Sequence, residues 1–247
     1  MTHAQKLWLN VRLILIDLLF QSRIPFRGYR IFVPKTVVKT KIRRLVLDDQ
    51  RYERPETDLV SKYISANVSV IELGGSLGAV SSFIARNMSP GQTHIVLEAV
   101  PALAQLCERN ASYDGQRHVT RVINKALSYA PGATVRFLAD GNAHIGRLAL
   151  ADEPSIEVQS TTLADLRKGL DADTDFAVVC DVEGAEYEII DKDADMLKRA
   201  TVAIIEFHDR DSDGNPVDID AYLATLPEKG FRVLERIEDV AAIQNAT

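Results

Sequence analysis

Apolar and polar residues follow one another along most of the chain in a pattern that predicts short buried strands separated by helices. Between the strands, apolar residues recur at the three- and four-residue spacing of amphipathic helices. This alternation is typical of an α/β fold built on a parallel sheet. The runs that predict the main strands are Ser69–Leu73, His94–Leu97, Val119–Asn124, Asp175–Val182 and Thr201–Phe207. Phe231–Ile237 and Val240–Gln244 predict a closing antiparallel pair.

The first apolar segment, Leu7–Phe20, is hydrophobic on most of a helical circumference. Arg12 and Asp17 interrupt it, and it is shorter than the ~20 residues that a membrane span requires. We expect a helix that packs on its own domain or on a second subunit. A peripheral membrane contact is the alternative, because basic residues flank the segment, namely Lys6, Arg12, Arg23, Arg27 and Arg30.

The next segment, Ile24–Leu47, is predicted to be extended, because prolines at 25 and 34 disfavour a helix and β-branched residues are frequent. We expect its basic residues to form one solvated strand face, with a contact to an anionic substrate or surface as the alternative; they are Lys35, Lys39, Lys41, Arg43 and Arg44. Further along, Ala126–Leu138 predicts a strand pair about the Pro131-Gly132 turn. We therefore predict that the chain consists of an N-terminal extension over 1–50 and a main domain over 51–247.

Composition adds three limits to this picture. The chain has 247 residues, 46% of them hydrophobic, so it can bury a core of ordinary size. Its formal net charge of −6 argues against a nucleic-acid partner bound through phosphates. Cys107 and Cys180 are too few for a disulfide framework and indicate buried thiols in a reducing compartment. We therefore expect a cytoplasmic protein, with membrane association through the N-terminal helix as the alternative.

The most informative stretch is the glycine turn after the first core strand, which reads Glu72-Leu73-Gly74-Gly75-Ser76-Leu77-Gly78. Glycine lets a ligand come close to the backbone. The acid before the turn would repel a pyrophosphate but suits an ammonium group, and Glu98, which closes the next strand, can accept bonds from ribose hydroxyls. A ligand with both groups is S-adenosylmethionine. Alternatively, the glycines serve only tight packing.

Polar residues also end the fourth and fifth core strands. Asp181 precedes Glu183 and Glu186, which we place in the first turn of a helix, and Glu206 precedes His208. A histidine with a near-neutral pKa can take a proton from a hydroxyl. We expect His208 or Asp181 to be the base that accepts this proton. We expect Glu183 or Glu206 to orient the substrate that carries the hydroxyl. A divalent metal on Asp181, Glu206, His208 and Asp209 is the minority alternative.

Several motifs together resemble the FkbM-type S-adenosylmethionine-dependent methyltransferases. They are V-I-E-L-G-G-S-L-G, E-A-V-P, V-I-N-K-A-L-S, D-V-E-G-A-E-Y-E-I-I and I-I-E-F-H, within residues 52–231. The resemblance implies a Rossmann-like seven-stranded sheet, mostly parallel with an antiparallel last strand. It implies cofactor contacts from Glu72, Gly74, Gly75, Ser76, Gly78, Glu98, Ala99, Lys125, Ala126 and Asp181, to which we add Tyr52 as a residue that folds over the loop.

The predicted activity is methyl transfer from S-adenosylmethionine to a hydroxyl of a sugar, natural product or polysaccharide. The acceptor would be a small molecule or a glycan, with no nucleic acid, and the N-terminal helix would mediate a membrane or homo-oligomer contact. One rival is a non-catalytic assembly module with the same fold. Another is an NAD-dependent oxidoreductase, which the acid before the glycine turn disfavours, because it would repel a pyrophosphate.

Overall fold

The computed structural model describes residues 2–48, 52–113, 116–130, 132–138, 148–149, 153 and 155–247. The helices are α1 (His3–Phe20), α2 (Thr40–Leu47), α3 (Arg54–Tyr63), α4 (Ala79–Asn87), α5 (Pro101–Ala111), α6 (Leu163–Arg167), α7 (Glu186–Lys192), α8 (Ala194–Leu197) and α9 (Ile219–Thr225). The first six strands are β1 (Arg23–Phe26), β2 (Tyr29–Phe32), β3 (Ser69–Leu73), β4 (Thr93–Leu97), β5 (Val119–Ile123) and β6 (Ala126–Leu127). The other six are β7 (Thr134–Phe137), β8 (Ile156–Thr161), β9 (Phe176–Cys180), β10 (Ala203–Glu206), β11 (Phe231–Ile237) and β12 (Val240–Asn245).

Seven strands form the central sheet in the order β11-β12-β10-β9-β3-β4-β5. The strands from β10 to β5 are parallel, whereas β12 runs antiparallel to both β10 and β11. This confirms the predicted fold class. All five residues of β3 and all five of β9 are buried, as expected for central strands covered by helices on both faces. Because these strands are parallel, their carboxyl ends meet at one edge of the sheet, where ligands bind in such folds.

The N-terminal elements pack against α4 and α5. Leu9, Leu13 and Ile16 face inward from α1 and join a cluster with Leu77 and Leu103. The prediction of an extended chain up to residue 47 was correct for the β1–β2 hairpin but wrong for Thr40–Leu47, which is helix α2. Its apolar residues recur at a helical spacing, which outweighs the β-branched content before it.

The basic residues of this segment do not form one solvated face. Arg43 is 3% exposed and lies in α2, where it pairs with Asp17 of α1 and donates a hydrogen bond to the carbonyl of Val33 at 2.8 Å. Asp17, one of the two charges that interrupt the first apolar segment, and Arg43 therefore neutralise each other, with the arginine buried and the aspartate side chain 21% exposed. This pair fixes α1 on α2.

A second, three-stranded sheet stands beside the main one, in the order β6-β8-β7. The predicted hairpin between Ala126 and Leu138 is therefore wrong: β6 runs parallel to β8, and β7 runs antiparallel to β8. Pro131, at the expected turn, lies outside the described residues. Cys107 and Cys180 are buried free thiols, as predicted. Among the helices described, α1 included, none has the length and hydropathy of a bilayer span.

Candidate functional site

The glycine turn connects β3 to α4 at the carboxyl edge of the sheet. Gly74 has φ of +89°, and a Cβ placed there would lie 1.7 Å from the carbonyl oxygen of Asp181. The turn after β3 and the turn after β9 are therefore in backbone contact, which only glycine permits at this position. The main-chain amides of Gly74 and Gly75 both donate to the carbonyl of Leu97 at 2.9 Å, so the turn is also fixed to β4.

Glu72, the acid before the turn, is 2% exposed. Its two oxygens are bonded by Ser81 Oγ and by His94 Nε2, each at 2.8 Å. His94, on the neighbouring strand, was not among the predicted partners of this carboxylate. The predicted contact between Glu72 and a cofactor stays a prediction. The observed bonds of Glu72 to Ser81 and His94 stabilise the start of the glycine turn.

Glu98 lies at the end of β4, as predicted, and accepts 2.7 Å bonds from the amides of Ser76 and Val100. Burial raises its pKa to about 7, although these amide bonds oppose the shift. Asn124, which the sequence analysis missed, holds this corner by donating 2.8 Å bonds to the carbonyls of Glu98 and Ala99. The sequence contains one signal for this role, because Asn124 is a polar residue directly after a strand whose end lies at the sheet edge.

The largest group of predicted cofactor residues lines one crevice beside this turn. Its walls include Gly74, Ser76, Glu98, Ala99, Lys125 and Asp181. Ala126 is fully buried in β6 and does not line the crevice. Phe137 of the second sheet and Leu148, which forms an isolated bridge to Phe137, add an apolar wall, which suits a flat nucleobase. Tyr52 lies on the other side of the turn, where it lines a neighbouring cavity with Gly74 and Gly75.

The turn after β9 carries the D-V-E-G-A-E motif. Glu183 has φ of +51° and Gly184 has φ of +106°, so Glu183 precedes helix α7 instead of lying in its first turn, which corrects our expectation. Glu53, Ser76 and Glu183 are non-glycine residues with left-handed backbones, and all three line cavities at this edge. Such conformations cost about 1–3 kcal/mol each and concentrate at functional sites.

His208 is held from one side by Glu186, a fully buried carboxylate. Glu186 Oε1 accepts from the amide of His208 at 2.8 Å and lies 3.1 Å from its Nδ1, while Oε2 accepts from the amide of Gly184 at 2.8 Å. The other ring nitrogen, Nε2, lies 3.6 Å from Asp181 and 3.5 Å from Glu183. This contact between Glu186 and His208 was not predicted from the sequence, where Glu186 was placed only in the first turn of a helix.

These carboxylates shift the protonation of the whole group. Burial lowers the pKa of His208, but the hydrogen bond and charge of Glu186, with the charges of Asp181 and Glu183, outweigh it and raise the pKa to about 10. Burial and the charge of Glu206 raise the pKa of Asp181 well above its usual value. At neutral pH, His208 is therefore an imidazolium facing carboxylates, and Asp181 is a stronger base than an exposed aspartate.

A cavity of about 270 Å³ opens beside this group. Its lining includes acidic residues from four parts of the chain, namely Glu53, Glu56, Asp181, Glu183, Glu206, Glu238 and Asp239, together with His208 and Tyr52. Glu56 is 6% exposed, and burial together with the charge of Glu206 raises its pKa to about 8. Of the four predicted metal ligands, the structure brings together Asp181, Glu206 and His208 and leaves Asp209 exposed outside the group.

Comparison with known proteins identifies the kind of domain. The methyltransferase FkbM domain matches residues 66–233, which is more than half of the chain. No curated protein matches the sequence. Among solved structures, a protein from Clostridium thermocellum named as a candidate rRNA methylase shares 10% identity over 78% of this chain and 94% of its own, with a TM-score of 0.48.

Two further solved structures are similar to this chain. An S-adenosylmethionine-dependent methyltransferase from Aquifex aeolicus is 12% identical over 83% of this chain and 97% of its own, with a TM-score of 0.45. A candidate tRNA (m1A22) methyltransferase from Streptococcus pneumoniae, in complex with S-adenosylmethionine, is 11% identical over 78% and 72%, with a TM-score of 0.42. At these identities the likeness shows the fold alone.

The exclusion of nucleic acid as a partner was wrong. We based it on the net charge of −6, yet proteins with the same fold are named as rRNA and tRNA methyltransferases. Net charge sums over the whole surface, whereas a phosphate backbone contacts only one part of it. A negative total therefore does not exclude RNA, and the low identity transfers no substrate to this chain.

Proposed function

Because the chain belongs to the FkbM methyltransferase family, whose members use S-adenosylmethionine, we propose that it methylates a hydroxyl oxygen of a sugar, natural product or polysaccharide. The observation that carries this proposal is the position of Asp181. Its backbone contacts the glycine turn, the residue lines the cofactor crevice, and its carboxylate lies 3.6 Å from Nε2 of His208. A base at this point lies beside the place where a donor methyl group would be presented.

The crevice offers groups suited to the donor. Glu98 supplies carboxylate oxygens for the ribose hydroxyls, and the apolar wall with Phe137 supplies a surface for the adenine. The methionine part would lie over Gly74 and Gly75, where Tyr52 and Glu53 line the adjoining cavity. The bound sulfonium supplies an electrophilic methyl carbon, and the protein contributes alignment and exclusion of water.

The acceptor hydroxyl needs to lose its proton as its oxygen attacks. We assign the base to Asp181, because its raised pKa makes it a better proton acceptor than an exposed carboxylate. The O–CH3 bond forms as the C–S bond breaks, the electron pair of that bond stays on sulfur, and the proton moves to Asp181. His208, protonated and fixed by Glu186, stabilises the carboxylate and orients it.

Calorimetry with S-adenosylhomocysteine and a methyl-transfer assay with labelled donor test this proposal. We expect the wild type to bind S-adenosylhomocysteine and, when offered sugars, polysaccharides, tRNA and rRNA, to transfer the methyl group to a hydroxyl of a sugar or polysaccharide. Asp181→Asn should lower kcat by at least about a hundredfold with the binding of S-adenosylhomocysteine retained. The matched control is Asp213→Asn, an exposed acid that lines neither the crevice nor the cavity beside His208. An active Asp181→Asn enzyme, or transfer to nitrogen or to RNA alone, contradicts the proposal.

We also propose that the N-terminal region, as an extension distinct from the main domain, docks on an anionic membrane surface. Helix α1 leaves one apolar face open to solvent. Five large apolar side chains on this face are each more than half exposed, namely Leu7, Trp8, Ile14, Leu18 and Leu19. Exposed apolar patches of this kind mark interaction sites.

Charge favours an anionic surface over a second copy of the chain. Residues 1–50 hold ten Lys or Arg and three Asp or Glu, a formal charge of +7, which leaves −13 for residues 51–247. Arg12 lies over the ring of Trp8 at 4.5 Å, and Arg30 lies over the ring of Phe20 at 3.9 Å, so cations border the exposed face. Two such regions would repel each other, whereas acidic lipid headgroups would attract them.

Vesicle co-sedimentation tests this docking. We expect binding to vesicles that contain phosphatidylglycerol, weaker binding to pure phosphatidylcholine, and loss of binding in the double variant Ile14→Ser and Leu18→Ser. Val233→Ser is the matched control, because it removes an exposed apolar side chain from β11. If the wild type binds neither kind of vesicle and forms a dimer that the double variant does not form, a second copy of the chain covers this face.

A further inference from the structure

We infer that the acidic cavity holds a divalent metal ion on Asp181, Glu206 and His208. One ligand atom from each of these side chains lies within 4.8 Å of the other two. Two carboxylates and one imidazole form a donor set that suits Mn²⁺ and related ions. The three residues come from the ends of two neighbouring parallel strands, β9 and β10, so the sheet itself fixes their spacing.

Among the residues that the structure describes, two buried carboxylate oxygens that line the same cavity have no hydrogen-bond partner. They are Oε2 of Glu56, whose residue is 6% exposed, and Oδ1 of Asp181. Both residues line the cavity beside Glu206. A desolvated carboxylate oxygen without a donor is costly, and a cation between such oxygens removes that cost. Glu56 is not one of the three ligands, so its oxygen is an observation independent of their spacing, and it also indicates a positively charged occupant.

The orientation of His208 fits a metal ligand. Histidines that bind metal commonly donate the other ring nitrogen to a carboxylate, which fixes the ring and its tautomer. Glu186 occupies that position at 3.1 Å from Nδ1, and it is fully buried. Nε2 therefore points toward Asp181 and the cavity.

Charge in the cavity favours an ion over a neutral ligand. The lining carries seven carboxylates, and His208 is the basic side chain among the lining residues. In the bound state, the ion would also present open positions to the acceptor hydroxyl and lower its pKa. This catalytic part of the inference rests on the proposed methyl transfer, whereas binding of the ion does not.

Titration of the full chain with MnCl2 tests the inference without any acceptor. Calorimetry and the electron paramagnetic resonance signal of free Mn²⁺ should report one bound ion. Asp181→Asn and Glu206→Gln should each weaken binding by at least about tenfold, and Asp213→Asn should not change it. Circular dichroism melting of each variant separates lost ligands from lost folding, and the conservative variant Glu206→Asp serves where Glu206→Gln does not fold.

The outcomes are distinct from those of the methyl-transfer test. One bound Mn²⁺ that both variants weaken supports the site, whether or not an acceptor is found. No binding by the folded wild type at millimolar Mn²⁺, or binding that both variants leave unchanged, overturns it. Methyl transfer that persists unchanged in excess chelator, with binding intact, would remove the catalytic part alone.

Discussion

Glu56 provides a test of the electrostatic cost of the acidic cavity. Its carboxyl is 6% exposed, and burial and Glu206 raise its pKa from 4.5 to about 8. Between these two values the folded protein binds more protons than the unfolded chain, so the free energy of unfolding falls as pH rises. Above pH 8 the full cost is present. Glutamine has nearly the same shape and cannot ionise, so Glu56→Gln should remove this cost.

The magnitude follows from the pKa difference. At 1.36 kcal/mol for each pH unit, the interval from 4.5 to about 8 corresponds to roughly 5 kcal/mol as an upper bound. Water entry and relaxation reduce such values in real proteins, so we expect a gain of about 1–3 kcal/mol at pH 8. At pH 5 only a small part of the range between the two pKa values has been crossed. The gain there should be no more than a few tenths of a kcal/mol.

Urea unfolding followed by circular dichroism, in chelator and at both pH values, measures this difference. Glu157→Gln is the control, because it removes an exposed carboxylate from β8. We expect the control to change stability equally and slightly at both pH values. An equal effect of Glu56→Gln at pH 5 and pH 8, or a loss of stability at pH 8, would refute the reasoning.

Three further predictions concern the supports of the site. Gly74→Ala should weaken S-adenosylhomocysteine binding at least about tenfold by calorimetry, because its Cβ meets a carbonyl of the neighbouring turn, whereas Gly91→Ala, with the same backbone conformation and open space, should not. Asn124→Ala should cost about 1–3 kcal/mol in urea unfolding and raise the KM for the donor more than it changes kcat, because two buried carbonyls lose their donor. Asp17→Asn should cost about 3–5 kcal/mol in urea unfolding, because it leaves Arg43 buried without its counter-charge.

The sequence predicted the part of the site that is local in the chain. The strand, glycine turn, helix and second strand between Ser69 and Leu97 follow from periodicity and from glycine placement, and Glu98 follows from its position after a strand. These features depend on neighbours within about thirty residues, and the observed elements agree with the predicted ones within one or two residues.

The features that the sequence did not predict depend on long-range pairing. Glu186 and His208 are 22 residues apart, and Glu56 meets the strand ends from α3, far earlier in the chain. The residues next to Glu186 and Glu56 in the sequence do not show whether these carboxylates contact His208 and the strand ends or cap their own helices. Helix α2 was missed for a different reason, because β-branched residues before it masked a short helical period.

His208 cannot serve as a metal ligand and as a proton-carrying partner of Asp181 at the same time. In the metal-free protein its pKa of about 10 keeps it charged across the neutral range, so the rate should follow the deprotonation of Asp181. An ion on Nε2 would displace that proton and would lower the pKa of the acceptor hydroxyl instead. Adding Mn²⁺ should therefore shift the ascending limb of the pH–rate profile to lower pH, and Glu186→Gln should reduce that shift by loosening the ring that the ion requires.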